Sequence, residues 1–96
     1  MANLYVTEFV RLTIDGAGQH AVIGSPARTQ TVAIGVASAS VALRPATRFV
    51  RLYSEAGCCV AFADAPVATT ADIPLATDQT EYFGVAGGSV AVIQRP

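Results

Sequence analysis

The sequence has no tryptophan and no lysine, and it has only one histidine, one methionine and two cysteines. Charged residues make up 14% of its 96 residues, and all six basic residues are arginine. This stock of histidine and cysteine is too small for a tetrahedral zinc site built by one chain. The formal net charge is -1 and the chain has no basic run, so we expect no nucleic-acid partner.

Long apolar runs are also missing. No stretch approaches the roughly 18 consecutive apolar residues that a membrane-spanning helix needs. The first residues, MANLYVTEF, lack the basic start and the apolar run of a signal peptide. We therefore expect no membrane partner and a protein that is made in a cytoplasm.

Apolar residues are nevertheless abundant, at 52% of the chain with a mean hydropathy of +0.47. The length fits one domain, residues 1–96. A domain of this size buries only about two-thirds of the surface that its unfolded chain exposes. Some apolar side chains must therefore face outward, and exposed apolar surface is typical of contact with other proteins. The composition predicts an oligomer or a larger assembly.

The dominant periodicity is two, which is typical of strands. It begins with an extended N-terminal strand at about residues 3–14, where Leu4 and Val6 start an apolar face that only Glu8 interrupts. A turn is expected over Asp15–Gly18, followed by a short extended piece at His20–Ile23.

The rest of the chain continues the pattern of short strands and turns. We predict a connection with up to one helical turn at 65–75, and two hairpins, one across Ser54–Gly57 and one across Ala86–Gly88. The predicted fold is all-β, a compact β-sandwich or small jelly-roll-like barrel of about seven to eight short antiparallel strands. The remaining predicted strands are 30–35, 37–43, 48–53, 58–63, 80–85 and 89–93.

No constellation of residues indicates catalysis, a cofactor or a bound metal. Cys58 and Cys59 are adjacent in a predicted strand, so their side chains should point to opposite faces and both are expected to be buried. The carboxylates Asp64, Asp72, Asp78 and Glu81 do not have the spacing of an EF-hand. We therefore expect a protein that is not an enzyme.

The candidate interface residues lie in two strands. In the N-terminal strand they include Tyr5 and Phe9, which share a face and are well placed to reach a neighbouring subunit. Arg48 and Arg51 are expected on opposite faces of one strand, either with one in solvent and the other paired to Glu55 or Glu81, or with one in an interface, where arginine is enriched. The full set is Leu4, Tyr5, Phe9, Arg11, Arg48 and Arg51.

The start MANLYVTEF and the block from Thr47 to Ile93 resemble small structural proteins encoded among the virion genes of tailed bacteriophages. The corresponding motifs are Thr31–Gly35, Arg48–Arg51, Pro66–Thr69 and Glu81–Val85.

The resemblance implies a virion component that is made in the bacterial cytoplasm. Within that class we expect a head decoration or cement protein, a dimer or trimer that binds the major capsid protein or other virion subunits. A neck, tail or fibre component and a carbohydrate-binding adhesion module are the alternatives.

Overall fold

A computed structural model describes residues 2–10, 13–14, 20–21 and 26–95, and these residues form ten strands. Their bounds are β1 Asn3–Phe9, β2 Thr13–Ile14, β3 His20–Ala21, β4 Pro26–Ala33, β5 Ala39–Ala42, β6 Phe49–Ser54, β7 Cys58–Ala63, β8 Ile73–Leu75, β9 Gln79–Gly84 and β10 Ser89–Gln94.

Two four-stranded sheets carry the architecture. The first sheet has the strand order β4-β1-β6-β9 and the second has the order β5-β10-β7-β8. Strands β2 and β3 form a separate two-stranded sheet, and every pairing is antiparallel. The fold is therefore all-β, and the prediction of a small β-sandwich is confirmed.

One apolar core lies between the two sheets. Strand alternation places Leu4, Val6, Val50 and Leu52 of the first sheet in this core, with their neighbours in sequence turned outward. Leu75 and three valines of the second sheet complete the opposite side of the core. Those valines are Val60, Val90 and Val92.

The N-terminal strand is shorter than the predicted span of about residues 3–14. Strand β1 ends at Phe9, and Thr13 and Ile14 pair with β3 in the separate sheet. Both neighbours of β1 stop at the same level, because Phe9 is opposite Pro26 of β4 and Phe49 of β6. Beyond that level no described strand pairs with β1, and alternation in the sequence cannot reveal where strand pairing ends. The predicted turn at Asp15–Gly18 lies outside the described residues.

Both predicted hairpins are wrong, because each turn carries the chain from one sheet to the other. Strand β6 belongs to the first sheet and β7 to the second, and the same is true of β9 and β10. In the turn between β6 and β7, the Glu55 N–H donates to Asn3 O (3.1 Å) in the first sheet, and Gly57 O accepts from Arg95 N–H (3.1 Å) beside the second. The two sides of β6 are already taken by β1 and β9, so β7 finds its partners in the other sheet.

The turn between β9 and β10 depends on two glycines with left-handed backbone, Gly87 (φ 70°) and Gly88 (φ 79°). A Cβ at Gly88 would lie 3.0 Å from Ala63 O, and one at Gly87 would lie 3.2 Å from Pro45 O. Both the dihedral and the space therefore favour glycine here.

The remaining differences concern strand ends and one connection. Strand β4 begins at Pro26, four residues before the prediction, and β6 is shifted by one residue. In place of a helical turn at 65–75, the chain forms a turn in which Asp72 N–H donates to Thr69 O (3.0 Å), followed by the short strand β8. Within the described ranges, no helix has the length and apolar character needed to cross a membrane.

Candidate interaction surface

The outer face of the first sheet has a distinctive composition. Strand register places threonine, tyrosine and arginine side chains in two neighbouring rows that cross all four strands. All three tyrosines of the chain lie here. We call this surface the tyrosine face; its residues are Tyr5, Thr7, Thr29, Thr31, Arg51, Tyr53, Thr80 and Tyr82.

Contacts between neighbours fix several of these side chains. The rings of Tyr5 and Tyr53 are 6.0 Å apart between centroids and tilted by 40°. The Tyr53 hydroxyl donates to Asp78 Oδ1 at 2.7 Å, and this hydrogen bond is the main reason that the pKa of Tyr53 is raised. The hydroxyl oxygens of Thr7 and Thr29 are 3.3 Å apart. The face is therefore ordered by strands and by side-chain contacts before any partner binds.

Arg51 is exposed near the centre of this face, between Thr7 of β1 and Tyr82 of β9. The one salt bridge among the described residues joins Arg28 to Glu8, so Arg51 does not form the pair with Glu55 or Glu81 that was one of the expectations. Arg51 and Glu55 both line a shallow depression, together with four further residues of the tyrosine face. Those four are Tyr5, Thr7, Thr29 and Tyr53.

Part of the outer face of the second sheet is covered by the chain itself, although Ser40, Ala42 and Ala63 on this face remain exposed. Residues 64–72, which we call the crossover segment, leave the end of β7 and return at β8. The Ala68 N–H donates to Ser38 Oγ at 2.9 Å, and the Cys59 thiol contacts Thr70 O at 3.8 Å. Ala91 points away from the core and still has no exposed surface. We attribute its burial to the crossover segment, which packs closely because small residues line this face.

Beneath one corner of the sandwich lies a buried carboxylate that ties three parts of the chain together. Glu8 points inward from β1 and is fully buried. Its Oε2 accepts from Arg28 Nε (2.7 Å) and Gln30 Nε2 (3.0 Å) of β4. Its Oε1 accepts from the Arg44 backbone N–H (2.7 Å) and from Thr47 Oγ1 (2.8 Å) in the β5–β6 connection. We call these five residues the Glu8 cluster.

The Glu8 cluster determines the charge state of its carboxylate. Burial alone would raise the pKa of Glu8 by disfavouring the charged form. The hydrogen bonds from Arg28, the Arg44 backbone, Thr47 and Gln30 together outweigh burial, so the pKa of Glu8 is lowered. The same donors also close the corner between the sheets, because Arg28 Nη2 (3.1 Å) and Gln30 Nε2 (2.9 Å) donate to Ala42 O of β5.

The predicted interface residues have different positions in the fold. Leu4 is fully buried in the core, and Phe9 is 6% exposed, so both pack within this chain instead of forming an outer surface. Leu4 belongs to the inward face of β1, whereas Phe9 follows a register shift in the β1–β4 pairing, and sequence alternation reveals neither the inward face nor the shift. Arg11 lies outside the described residues. The remaining three, Tyr5, Arg48 and Arg51, reach the surface.

Arg48 and Arg51 do not share a surface. Arg48 precedes β6, is exposed, and donates through Nη1 to the carbonyls of Pro45 (2.9 Å) and Thr47 (3.1 Å). Arg51 belongs to the tyrosine face.

Tyr53 and Tyr82 lie on that face although they were not among the interface candidates. Their strands had been predicted, but only the strand order shows that β6 lies between β1 and β9, which brings the three tyrosines onto one face.

The two cysteines confirm the prediction made for them. Cys58 is in the core between the sheets, and Cys59 points to the opposite face under the crossover segment. Both are free and buried. Burial, with a smaller contribution from the neighbouring Cys59, raises the pKa of the Cys58 thiol to about 11, so this thiol stays protonated and unreactive at neutral pH.

Within the described residues, no group of three or more histidine, cysteine or acidic side chains is arranged to hold a metal ion. The chain matches no protein-family model, and no curated protein or solved structure is significantly similar to it.

Proposed function

We propose that this chain is a structural subunit of a tailed-bacteriophage virion that binds and stabilises the assembled capsid, as a decoration or cement protein. The observation that carries the proposal is the tyrosine face, an ordered sheet surface that nothing in the described part of the chain covers. The sequence motifs that resemble virion structural proteins supply the class of particle.

The composition of the tyrosine face fits a protein partner. Tyrosine and arginine are among the residues most enriched in the small set that dominates binding energy at interfaces. Tyr5 and Tyr53 are held by each other and by Asp78, so they lose little side-chain freedom when a partner binds. Arg51 is exposed and unpaired with any carboxylate among the described residues, which leaves its guanidinium available to a carboxylate or carbonyl of the partner.

The proposed mechanism is mass action. A protein that binds only the assembled shell stabilises that shell against dissociation, by an amount that grows with its concentration relative to its dissociation constant. The proposed partner is the major capsid protein or another virion subunit. The proposal involves no catalysis, no cofactor, no nucleic acid and no membrane, and it places the protein in the virion after synthesis in the bacterial cytoplasm.

Binding to empty shells assembled from the major capsid protein of the same phage tests this proposal. Arg51→Ala and Tyr5→Ala should each weaken binding by about tenfold or more, because interface tyrosines and arginines often dominate affinity. Arg95→Ala is the matched control, since Arg95 is also exposed but lies beside the second sheet. Shells that do not bind the wild-type protein, or variants that bind as well as wild type, would contradict the proposal.

Copy number separates capsid decoration from a neck, tail or fibre role in the same particle. Quantitative mass spectrometry of purified virions should give a copy number of the same order as that of the major capsid protein. A copy number typical of a single ring would instead favour the neck or tail.

One observation favours a second candidate, a carbohydrate-binding module. Exposed aromatic rings are a common platform for sugars, and Tyr5, Tyr53 and Tyr82 lie on one face around Arg51. A glycan array separates the two functions. Selective binding that is lost in Tyr5→Ala and Tyr53→Ala, with no binding to shells, would favour the sugar-binding function.

A further inference from the structure

The four edge strands of the sandwich are protected unequally. Natural sheets protect exposed edges because unpaired backbone groups recruit other strands. Strands β4 and β5 are joined by hydrogen bonds from the Arg28 and Gln30 side chains of β4 to Ala42 O of β5, so each of these two edges is partly protected by the other. Strand β8 has only three residues and contains Pro74. Strand β9 is six residues long, has no proline or lysine, and pairs only with β6 among the described strands.

The hydrogen-bond pattern shows which groups of β9 are open. The Val85 N–H donates to Arg48 O at 2.8 Å, in register with the pairing of β9 and β6. Backbone groups alternate in direction along an antiparallel strand, so Glu81 and Phe83 also face β6. The N–H and C=O groups of Thr80, Tyr82 and Gly84 therefore point to the open edge.

An apolar groove lies next to this edge, between the two sheets. Phe62 of β7 and Phe83 of β9 meet there with ring centroids 5.1 Å apart, and Ile73 of β8 is 43% exposed at its side. The groove has a volume of about 660 Å³. A strand added to β9 would place its inward side chains over this groove.

We propose that β9 pairs with β9 of a second copy of this chain, in antiparallel orientation around a two-fold axis at Phe83. Tyr82 of each copy then exchanges backbone hydrogen bonds with Gly84 of the other. The first sheets of the two copies become one eight-stranded sheet, and the two tyrosine faces become one continuous surface. This inference deepens the proposed function, because it names how two copies associate.

Charge complementarity favours a second copy as the partner of β9 and disfavours a register centred on Glu81. A register centred on Glu81 would place two carboxylates directly opposite each other, which is destabilising. In the register centred on Phe83, Glu81 lies opposite Val85 of the second copy. Arg48 directly precedes β6 and lies opposite Val85, so Glu81 of one copy and Arg48 of the other fall in one row across the new sheet. Two strand spacings of about 5 Å each separate their backbones, a distance that the two long side chains span.

Two further features allow this contact. The formal net charge of -1 gives little repulsion between copies. The Phe83 rings of the two copies meet at the axis and extend the Phe62–Phe83 pair across the interface.

Sedimentation velocity of the purified chain, without shells, tests the inference. We expect a reversible dimer with a dissociation constant in the micromolar range. Tyr82→Pro removes the outward N–H without touching the ladder to β6, whereas Tyr82→Thr keeps the N–H and removes only the ring. Tyr82→Pro should dimerise about tenfold more weakly than Tyr82→Thr, since two symmetric hydrogen bonds are lost. A wild-type monomer at all concentrations, or equal dimerisation of the two variants, would overturn the inference.

Charge reversal tests the register. Glu81→Arg and Arg48→Glu should each weaken the dimer by about tenfold, and the double variant should regain most of the wild-type affinity. No recovery in the double variant would overturn the register. Amide exchange in the wild-type chain is a test without mutation: Tyr82 and Gly84 should exchange more slowly at high than at low protein concentration. Equal exchange rates at the two concentrations would also overturn the proposal.

The dimer and the capsid role fail separately. If the wild-type chain and its Arg51→Ala variant both dimerise but the wild-type chain does not bind shells, the proposed function is overturned and the β9 contact still stands. If the wild-type chain binds shells but stays monomeric at all concentrations, the β9 contact is overturned and the proposed function still stands.

Discussion

The two sheets of this sandwich share one core but differ on their outer faces. The second sheet presents small side chains, and its own crossover segment packs over part of them, where Cys59 and Ala91 are buried. The first sheet presents tyrosine, threonine and arginine, and the described chain leaves these uncovered. A face covered by its own chain needs small residues for close packing, whereas large amphipathic side chains suit a face that binds another protein. The composition of each outer face therefore indicates what covers it.

The sheets also differ in how they are held. The second sheet depends on apolar packing and on the close fit of the crossover segment. The first sheet is fastened to the β5–β6 connection by the Glu8 cluster, in which every buried side-chain polar atom has a partner. Because one sheet is held by buried hydrogen bonds and the other by close packing, different substitutions should destabilise each of them.

The largest expected effect is on the Glu8 cluster. Glu8→Ala leaves the Thr47 hydroxyl and the Arg44 N–H without their acceptor and Arg28 without its carboxylate partner, so we expect the free energy of unfolding to fall by about 3–5 kcal/mol. Urea denaturation measures the change. Glu55→Ala is the control: this exposed carboxylate accepts one hydrogen bond, from Asn3 N–H (2.8 Å), so its loss should cost about 1 kcal/mol or less. A similar loss for the two variants would show that the cluster does not fasten the first sheet.

The next largest effect contrasts the two outer faces directly. Ala91→Leu inserts a larger side chain under the crossover segment and should cost about 1–3 kcal/mol through overpacking. Thr7→Leu places the same side chain on the tyrosine face, where space is open, and should change stability by less than about 0.5 kcal/mol. Thermal unfolding of both variants tests the contrast, and equal losses would contradict it.

Protonation of Glu8 at low pH should lower the free energy of unfolding by less than Glu8→Ala does, because a protonated carboxyl still forms part of the hydrogen-bond network. The folded pKa of Glu8 lies below its unfolded value of 4.5. Its contribution to stability is therefore complete above pH 4.5 and is lost as the pH falls through the folded pKa. The wild-type chain should lose stability over this window in denaturation curves. Glu8→Gln should show a smaller loss, and an identical pH profile would exclude Glu8 as the source.

The smallest effect is expected on the tyrosine face itself. Arg51→Ala and Tyr82→Ala remove exposed side chains that make no contact with the core, so each should change the unfolding free energy by less than about 0.5 kcal/mol. Circular dichroism melting curves would show this. A large loss of stability would mean that these side chains hold the fold together and are not free for a partner.

Much of the secondary structure was predictable from the sequence. Alternation correctly placed Leu4, Val6 and Val50 on strands, and it separated Cys58 from Cys59. The two predicted hairpins failed because a short turn between two strands has the same sequence signals whether it closes a hairpin or crosses between sheets. In the sequence, Glu8 stood out only as a break in an apolar face. Its donors, however, lie 20 to 39 residues away along the chain, and no local pattern connects them to it.

The sequence by itself determined an all-β chain, the alternating faces of its strands and an apolar content too large for one small core. Those properties are local or compositional, so they do not depend on how the strands are arranged. Only the tertiary structure decided which strands are neighbours. That choice gathered three tyrosines on one face, buried the Glu8 carboxylate among donors from distant segments and left β9 as an open edge. These features depend on long-range pairing, which is set by the competition of all strands for the same partners.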